Sequence, residues 1–323
     1  LVNTPDRSIN ILKAEMPGPT VDKLVPKSKD TARTLYIIYT ALTALEVIFL
    51  LLGGMSLFDS VVHALSTAGT GGFGAYNASA ANFSPYIQWV LTVFMFLFAI
   101  NFNLFYLILL GRMRDVFRNT EFRVYLAIVL VSVAVITAEI MPLYRTFSDS
   151  LRQAAFQVAS VISTTGFITA DFTVWTPLSK VLLLGLMFVG GCAGSTAGGL
   201  KVSRVAILFK MMRRELRHTL RPRVVDVIKM DGRRLDEQTA HSVAVYFALY
   251  ILSIAVLIVS LSFSRFDLET NLFAAISCFN NVGPGFGMAG PVGNYSPYPP
   301  LFKLLLSAGM LLGRLEIYPM LLL

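Results

Sequence analysis

The sequence predicts an all-α integral membrane protein made of repeated units, each an outer helix, a short half-helix, a glycine loop and an inner helix. Three observations predict it. First, 55% of the 323 residues are hydrophobic and only 14% charged, with a mean hydropathy of +0.67, far more apolar than a soluble domain of this size. Second, apolar runs occupy 35–54, 86–110, 124–142, 176–193, 243–262 and 300–323, each near the ~20 residues that a hydrocarbon core demands of a helix. Third, the loops Thr70-Gly71-Gly72-Phe73, Thr164-Thr165-Gly166-Phe167 and Asn281-Val282-Gly283-Pro284 lie between apolar segments. A serine (Ser66, Ser160 or Ser277) stands six residues before Gly72, Gly166 and Gly283 respectively.

Repetition at one register divides the chain into units at 34–111, 124–210 and 240–323, with internal repeats a strong signal of membrane transport architecture. Residues 1–33, rich in Pro, Lys and Asp, read as a cytosolic linker, and 211–239 as a basic cytosolic linker. Because the chain starts at Leu1 and stops inside an apolar run at Leu323, it is expected to be part of a longer protein. Three units do not close a fourfold ring, so a fourth is expected before Leu1.

Within each unit, the short segments 59–67, 149–163 and 267–279 cannot cross a bilayer, and each opens near an aspartate suited to capping a helix. They read as half-helices leading into the loops. Irregular backbone at membrane depth is tolerated only where it faces protein or water, so the loops are expected to line a cavity. Glycine there lets carbonyls turn toward a common axis and replace the water shell of a cation. No Asp or Glu stands in any of the three loops, which favours carbonyl over carboxylate coordination.

Two further features lie along the inner helices. Gly190-Gly191-Cys192-Ala193-Gly194-Ser195-Thr196-Ala197-Gly198-Gly199 interrupts the middle unit's inner helix, and so small and polar a stretch holds no helix in lipid without protein contacts. It does not complete a phosphate-binding loop, since Leu200 stands where the lysine belongs. Arg314 lies inside the last apolar run, where a lone arginine is unfavourable by about 2.5–3.5 kcal/mol unless it meets water or a partner. It stands 31 residues after Gly283, as Asn103 does after Gly72 and Ala197 after Gly166, so one depth collects Arg314, the amides Asn101 and Asn103, and the glycine-rich stretch. Arg314 is expected to form a barrier just below the loops and to bond carbonyls of 190–199, with Glu316 or Glu46 as its alternative partner.

Cations fall before the first span, at Arg112, Arg114, Arg118 and Arg123, and densely over 201–234. By the positive-inside rule these segments face the cytosol, and the loops face outside. The net charge of +8 is thus a topology signal and not a nucleic-acid surface. Cys192 and Cys278 sit in or beside separate apolar segments and read as free buried thiols. His63, His218 and His241 have no ligand spacing, so a metal centre is unsupported, and nothing resembles a catalytic triad.

Together these residues resemble the Trk/Ktr/HKT superfamily of potassium transporters, and within it the bacterial TrkH type. The resemblance covers nearly the whole chain. Its most specific pieces are Ala14-Glu15-Met16-Pro17-Gly18-Pro19, Ser163-Thr164-Thr165-Gly166-Phe167, the stretch from Gly190 to Lys201, Asn280-Asn281-Val282-Gly283-Pro284-Gly285 and Gly313-Arg314-Leu315-Glu316.

The resemblance implies four repeats around a pseudo-fourfold, potassium-channel-like pore, with this chain holding the second, third and fourth. It implies a filter in which K+ meets carbonyls at Thr70, Gly71, Gly72, Thr164, Thr165, Gly166, Asn281, Val282 and Gly283. It also implies an intramembrane gating loop over 190–199, including Gly190, Gly191, Gly194, Ser195, Thr196, Gly198 and Gly199, acting with Arg314. The implied function is channel-like potassium uptake across the bacterial cytoplasmic membrane, not enzymatic turnover. The alternative of the same fold is sodium-permeable, or sodium- or proton-coupled, transport; glycine in all three loops favours potassium. By the same resemblance the protein forms a homodimer and docks a cytosolic ring of RCK-type subunits. ATP, ADP or NAD would bind that ring, and no cofactor would bind this chain. From the residues alone, the basic segment 201–234 equally fits an anchor on anionic headgroups of the lipid bilayer.

Overall fold

The computed structural model describes residues 28–221, 227–315, 317 and 320. Most of the linker expected over 1–33, the motif Ala14 to Pro19, part of the basic linker, Glu316 and the end of the last run lie outside the described residues.

The first unit runs through α1 (Ser28–Leu52), α2 (Leu57–Ala68), α3 (Pro85–Phe98) and α4 (Phe102–Leu109). After the short α5 (Met113–Arg118), the second comprises α6 (Thr120–Ile140), α7 (Phe147–Ile162), α8 (Pro177–Val189) and α9 (Val202–Leu220). A two-stranded hairpin, β1 (Lys229–Met230) and β2 (Arg233–Arg234), then leads to the third, α10 (Glu237–Ser262), α11 (Leu268–Phe279) and α12 (Pro300–Arg314). Each segment thus follows the same course of long helix, short helix, glycine loop and further helix.

Among the described residues, three helices are long and apolar enough to cross a bilayer, Ala32–Leu52, Thr120–Leu143 and Glu237–Ser262. The run 86–110, expected as one span, is broken: α3 and α4 meet at 93° across the residues between them. The break has a local cause, because Asn101 Oδ1 accepts the Asn103 N–H at 2.9 Å and starts a new helix there. The run 176–193 also stops early, at Val189, where Gly190 takes φ +68°. The outward sides of the long helices are apolar: Leu130, Val131, Leu252 and Val256 are 57–62% exposed, as a bilayer solvent requires and water does not.

The capping of the short helices differs from expectation in two of three cases. Ser56 caps α2 and Thr146 caps α7, each hydroxyl accepting the N–H of the aspartate three residues on, Asp59 and Asp149, at 3.1 Å. The aspartate carboxylates in turn accept the hydroxyl O–H, at 2.8 and 2.7 Å, so cap and first turn are bonded both ways through side chains. Only α11 is capped by its aspartate, Asp267.

Two large apolar clusters fill the interior. One packs the second and third units together around Tyr125, Phe172, Phe279 and Phe286. The other belongs to the first unit but takes in Phe156, Ala159 and Phe167 of the second, so the units are joined through their short helices and loops.

Candidate functional site

The three loops have one backbone. In each, a residue two before the glycine adopts a left-handed conformation, Thr70 (φ 50°), Thr164 (55°) and Asn281 (59°), as does the glycine itself, at 69°, 86° and 96°. Each is tied back to its short helix by the same bonds: Gly71 N–H to Ser66 O (2.7 Å), Thr165 to Ser160 (2.9 Å) and Val282 to Ser277 (2.9 Å). Alternating left-handed and other backbone turns successive peptide groups toward one side. The recurring serines have a further role in two loops, where Ser160 Oγ donates to Phe167 O at 2.7 Å and Ser277 Oγ to Pro284 O at 2.8 Å. In the first loop Ser66 Oγ makes no such bond, and Phe73 is turned outward at 75% exposure.

The loops abut in chain order, first against second and second against third. A Cβ on Gly72 would lie 1.9 Å from the Thr165 carbonyl oxygen, and one on Gly166 would lie 2.0 Å from Val282 O. Nothing lies within 4 Å of the same position on Gly283. A cavity of about 560 Å³ runs along the three loops, lined by residues 69–73, Thr165, Gly166 and 281–284 and walled further by Met310 and Arg314. Of the residues expected to hold an ion, Thr70, Gly71, Gly72, Thr165, Gly166, Asn281, Val282 and Gly283 line it. Thr164 stands apart: it is fully buried and its hydroxyl accepts the Gly198 N–H at 2.6 Å.

The stretch 190–199 lies against the inner ends of these loops. Its own fold is held by close glycine contacts, since a Cβ on Gly190 would meet Gly198 O at 2.3 Å and one on Gly199 would meet Gly190 Cα at 2.8 Å. Ser195 Oγ donates to Cys192 O at 2.6 Å. It fills the break between α3 and α4, with Cys192 N–H to Ala99 O (2.9 Å), Phe102 N–H to Gly194 O (3.1 Å) and Thr196 Oγ1 to Phe98 O (3.3 Å). A Cβ on Gly191 would also meet Ala99 O, at 3.1 Å, and one on Gly194 would meet Asn101 Oδ1 at 3.2 Å. Asn101 thus meets the stretch at Gly194, and Asn103 gives its backbone N–H to Asn101.

Arg314 departs from its expected partners. Its guanidinium donates to Gly69 O at 3.2 Å and Thr70 Oγ1 at 3.3 Å, at the base of the first loop. The stretch 190–199 is reached only through Thr70, whose hydroxyl lies 2.9 Å from Thr196 O. Arg314 thus meets the first loop directly, and the stretch 190–199 only by way of Thr70. Of the alternative partners, Glu46 is fully buried and makes no ion pair with Arg314 among the described residues, and Glu316 lies outside them.

Sequence reasoning missed several residues at this site. Tyr295 Oη donates to Gly283 O at 2.7 Å, and Asn281 Nδ2 donates to Met310 O at 3.0 Å. Gly313 allows α12 to touch the end of α11, where a Cβ would lie 1.7 Å from Phe279 O. Glu121, 6% exposed, accepts the backbone N–H of Ala193, inside the glycine-rich stretch, and that of Ser203, just past it. Cys192 and Cys278 are both buried and free.

A family model described as "TrkH: Cation transport protein" matches residues 3–323. The chain is 37% identical over 320 residues to the Trk system potassium uptake protein TrkH of Salmonella typhimurium, covering 98% of this chain and 66% of that protein. It is 33% identical over 317 residues to TrkG of Escherichia coli, covering 97% and 65%. The crystal structure of the potassium transporter TrkH from Vibrio parahaemolyticus superposes with a TM-score of 0.88 at 32% identity, covering 97% of this chain and 68% of that one. The chain therefore spans about two thirds of the length of these curated relatives. With the matching model running almost end to end, this chain belongs to the TrkH family of cation transport proteins.

Proposed function

We propose that this chain forms most of a potassium-uptake pore in which carbonyls of the three glycine loops hold dehydrated K+. One observation carries the reading: three loops of different sequence adopt one backbone, abut through glycines that leave no room for a side chain, and face one cavity free of Asp and Glu. Carbonyl dipoles fixed in that way replace hydration at little reorganisation. The side left open at Gly283 is where a fourth unit of the parent protein would complete the ring.

The stretch 190–199 is the gate. It contacts the inner ends of the loops through Thr70, Thr164 and Asn280, and a path from the cavity to the cytosol passes it. Arg314 sets an electrostatic barrier at the same level, anchored on Gly69 and Thr70. The protein would act in the bacterial cytoplasmic membrane as a homodimer, with a nucleotide-binding cytosolic ring working on the basic segment that follows the gate.

The test is rubidium and sodium flux into liposomes holding the full-length parent protein, under an imposed diffusion potential. Rubidium entry that follows the potential and exceeds sodium entry is expected. Equal entry of the two ions would contradict a potassium-selective filter.

A further inference from the structure

The stretch 190–199 has two feet, and one carboxylate holds both. Glu121, in the first turn of α6, accepts the Ala193 N–H at 2.6 Å and the Ser203 N–H at 3.1 Å, both on Oε1. Ala193 lies inside the stretch, four residues past the end of α8 at Val189, and Ser203 is the second residue of α9, just beyond the stretch. At that second foot α9 has no capping side chain of its own, and Lys201 before it adopts φ +77°. Helix N-termini leave N–H groups that need an acceptor, and a carboxylate there gains from the helix dipole as well. Glu121 supplies that acceptor from another helix. Lys201 closes the same corner by donating from Nζ to Ala197 O.

The position of Glu121 is itself fixed from the cytosolic side. At the tip of the hairpin, Asp231 and Gly232 take φ 50° and 79°, the left-handed pair that a tight two-residue turn requires. Asp231 accepts the Thr120 N–H at 2.6 Å and the Asn119 amide at 3.1 Å, and its own N–H donates to Thr120 Oγ1 at 3.3 Å. The hairpin tip therefore grips the residues immediately before Glu121. The hairpin is also tied to α9, through Lys210 Nζ to Lys229 O at 2.7 Å.

We propose that Glu121 is a positioning residue that latches both feet of the 190–199 loop, and that the Asp231 hairpin sets the latch. The loop leaves the path only when the bonds to Ala193 and Ser203 break, so a pull on the cytosolic hairpin or on α9 is delivered to the gate through one carboxylate. This inference rests on reading 190–199 as the gate. The latch itself is a statement about the loop's position and is tested apart from ion flux.

Cys192 reports that position, since it adjoins Ala193 and is fully buried, and a thiol reacts only once exposed. The experiment measures maleimide labelling of Cys192 in the full-length parent protein, with every other cysteine replaced by serine. Glu121→Ala should label at least about tenfold faster than the parent. Glu121→Gln, which keeps an acceptor oxygen in place without the charge, should restore slow labelling in part. Asp231→Ala should speed labelling two- to fivefold alone and add nothing in the Glu121→Ala background, as expected of groups acting through one contact. Labelling of folded Glu121→Ala within twofold of the parent overturns the latch. Where Glu121→Ala does not fold, unchanged labelling of both Glu121→Gln and Asp231→Ala overturns it equally. Faster labelling with unchanged rubidium flux would uphold the latch and contradict the reading of the loop as gate.

Discussion

Two of the three loop glycines leave no space for a methyl group. A left-handed backbone alone disfavours alanine by roughly 1–2 kcal/mol, but at Gly72 and Gly166 the Cβ would also lie within 2.0 Å of a neighbouring loop's carbonyl oxygen, so that carbonyl must move. Gly166→Ala in the full-length parent is therefore expected to reduce rubidium flux to background while leaving the protein in the membrane fraction; retained flux would show that the loops do not form the path. Arg314 is a second residue with a definite expectation. Its removal takes the guanidinium bonds from Gly69 O and Thr70 Oγ1 and a positive charge from the cavity wall, so Arg314→Ala should raise flux and weaken its rectification. Arg314→Lys should fall between, because an ammonium lacks the planar fork that reaches both acceptors. The glycines and Arg314 were legible because glycine between apolar runs and an arginine in lipid are costly without a reason. The partners of Arg314 were not legible, since equal spacing along three helices gives depth and says nothing of which side of the axis a long side chain takes.

At the scale of the elements, the short helices owe their starts to side-chain caps. Thr146→Ala removes the acceptor for the Asp149 N–H and should destabilise the protein by about 1 kcal/mol, read as a lower midpoint of thermal unfolding in detergent. Asp267 adds a pH dependence: hydrogen bonds from the Thr270 side chain and backbone hold its carboxyl below the ordinary value. A group depressed in the folded state stabilises above its unfolded pKa of ~3.9 and loses that contribution as the pH falls through the folded value. The unfolding midpoint of the parent should therefore drop below about pH 4 by more than that of Asp267→Asn. The half-helices are readable from length and flanking polarity, and the caps Ser56 and Thr146 from a serine or threonine three residues before an acid, a signal that the aspartates obscure because they are good caps themselves. The bend of 93° in 86–110 was marked by Asn101 and Asn103 inside an apolar run. The hairpin was marked by Asp231-Gly232, a turn pair hidden among arginines and lysines.

For the whole molecule, the class was written in composition and the repeat in the serine-to-glycine spacing, and both concern local chain chemistry that needs no partner. What joins the units was not written there. Glu121 reads as an ordinary first-turn acid of a span, and only the fold brings Ala193 and Ser203, 72 and 82 residues away, onto its carboxylate. The open side at Gly283 is likewise set by the fold and not by local sequence. The proposed four-unit pore places a further loop there, so Gly283→Ala should silence the full-length parent as fully as Gly166→Ala in the same flux assay, although a Cβ on Gly283 meets nothing within 4 Å here. The most direct measurement is anomalous diffraction from crystals of the full-length parent grown with rubidium. Ion density is predicted on the axis between the carbonyls of Thr70 to Gly72, Thr165 to Gly166 and Asn281 to Gly283, lost when sodium replaces rubidium. Ordered rubidium elsewhere in the membrane domain, with none between these loops, would contradict a carbonyl filter built from them.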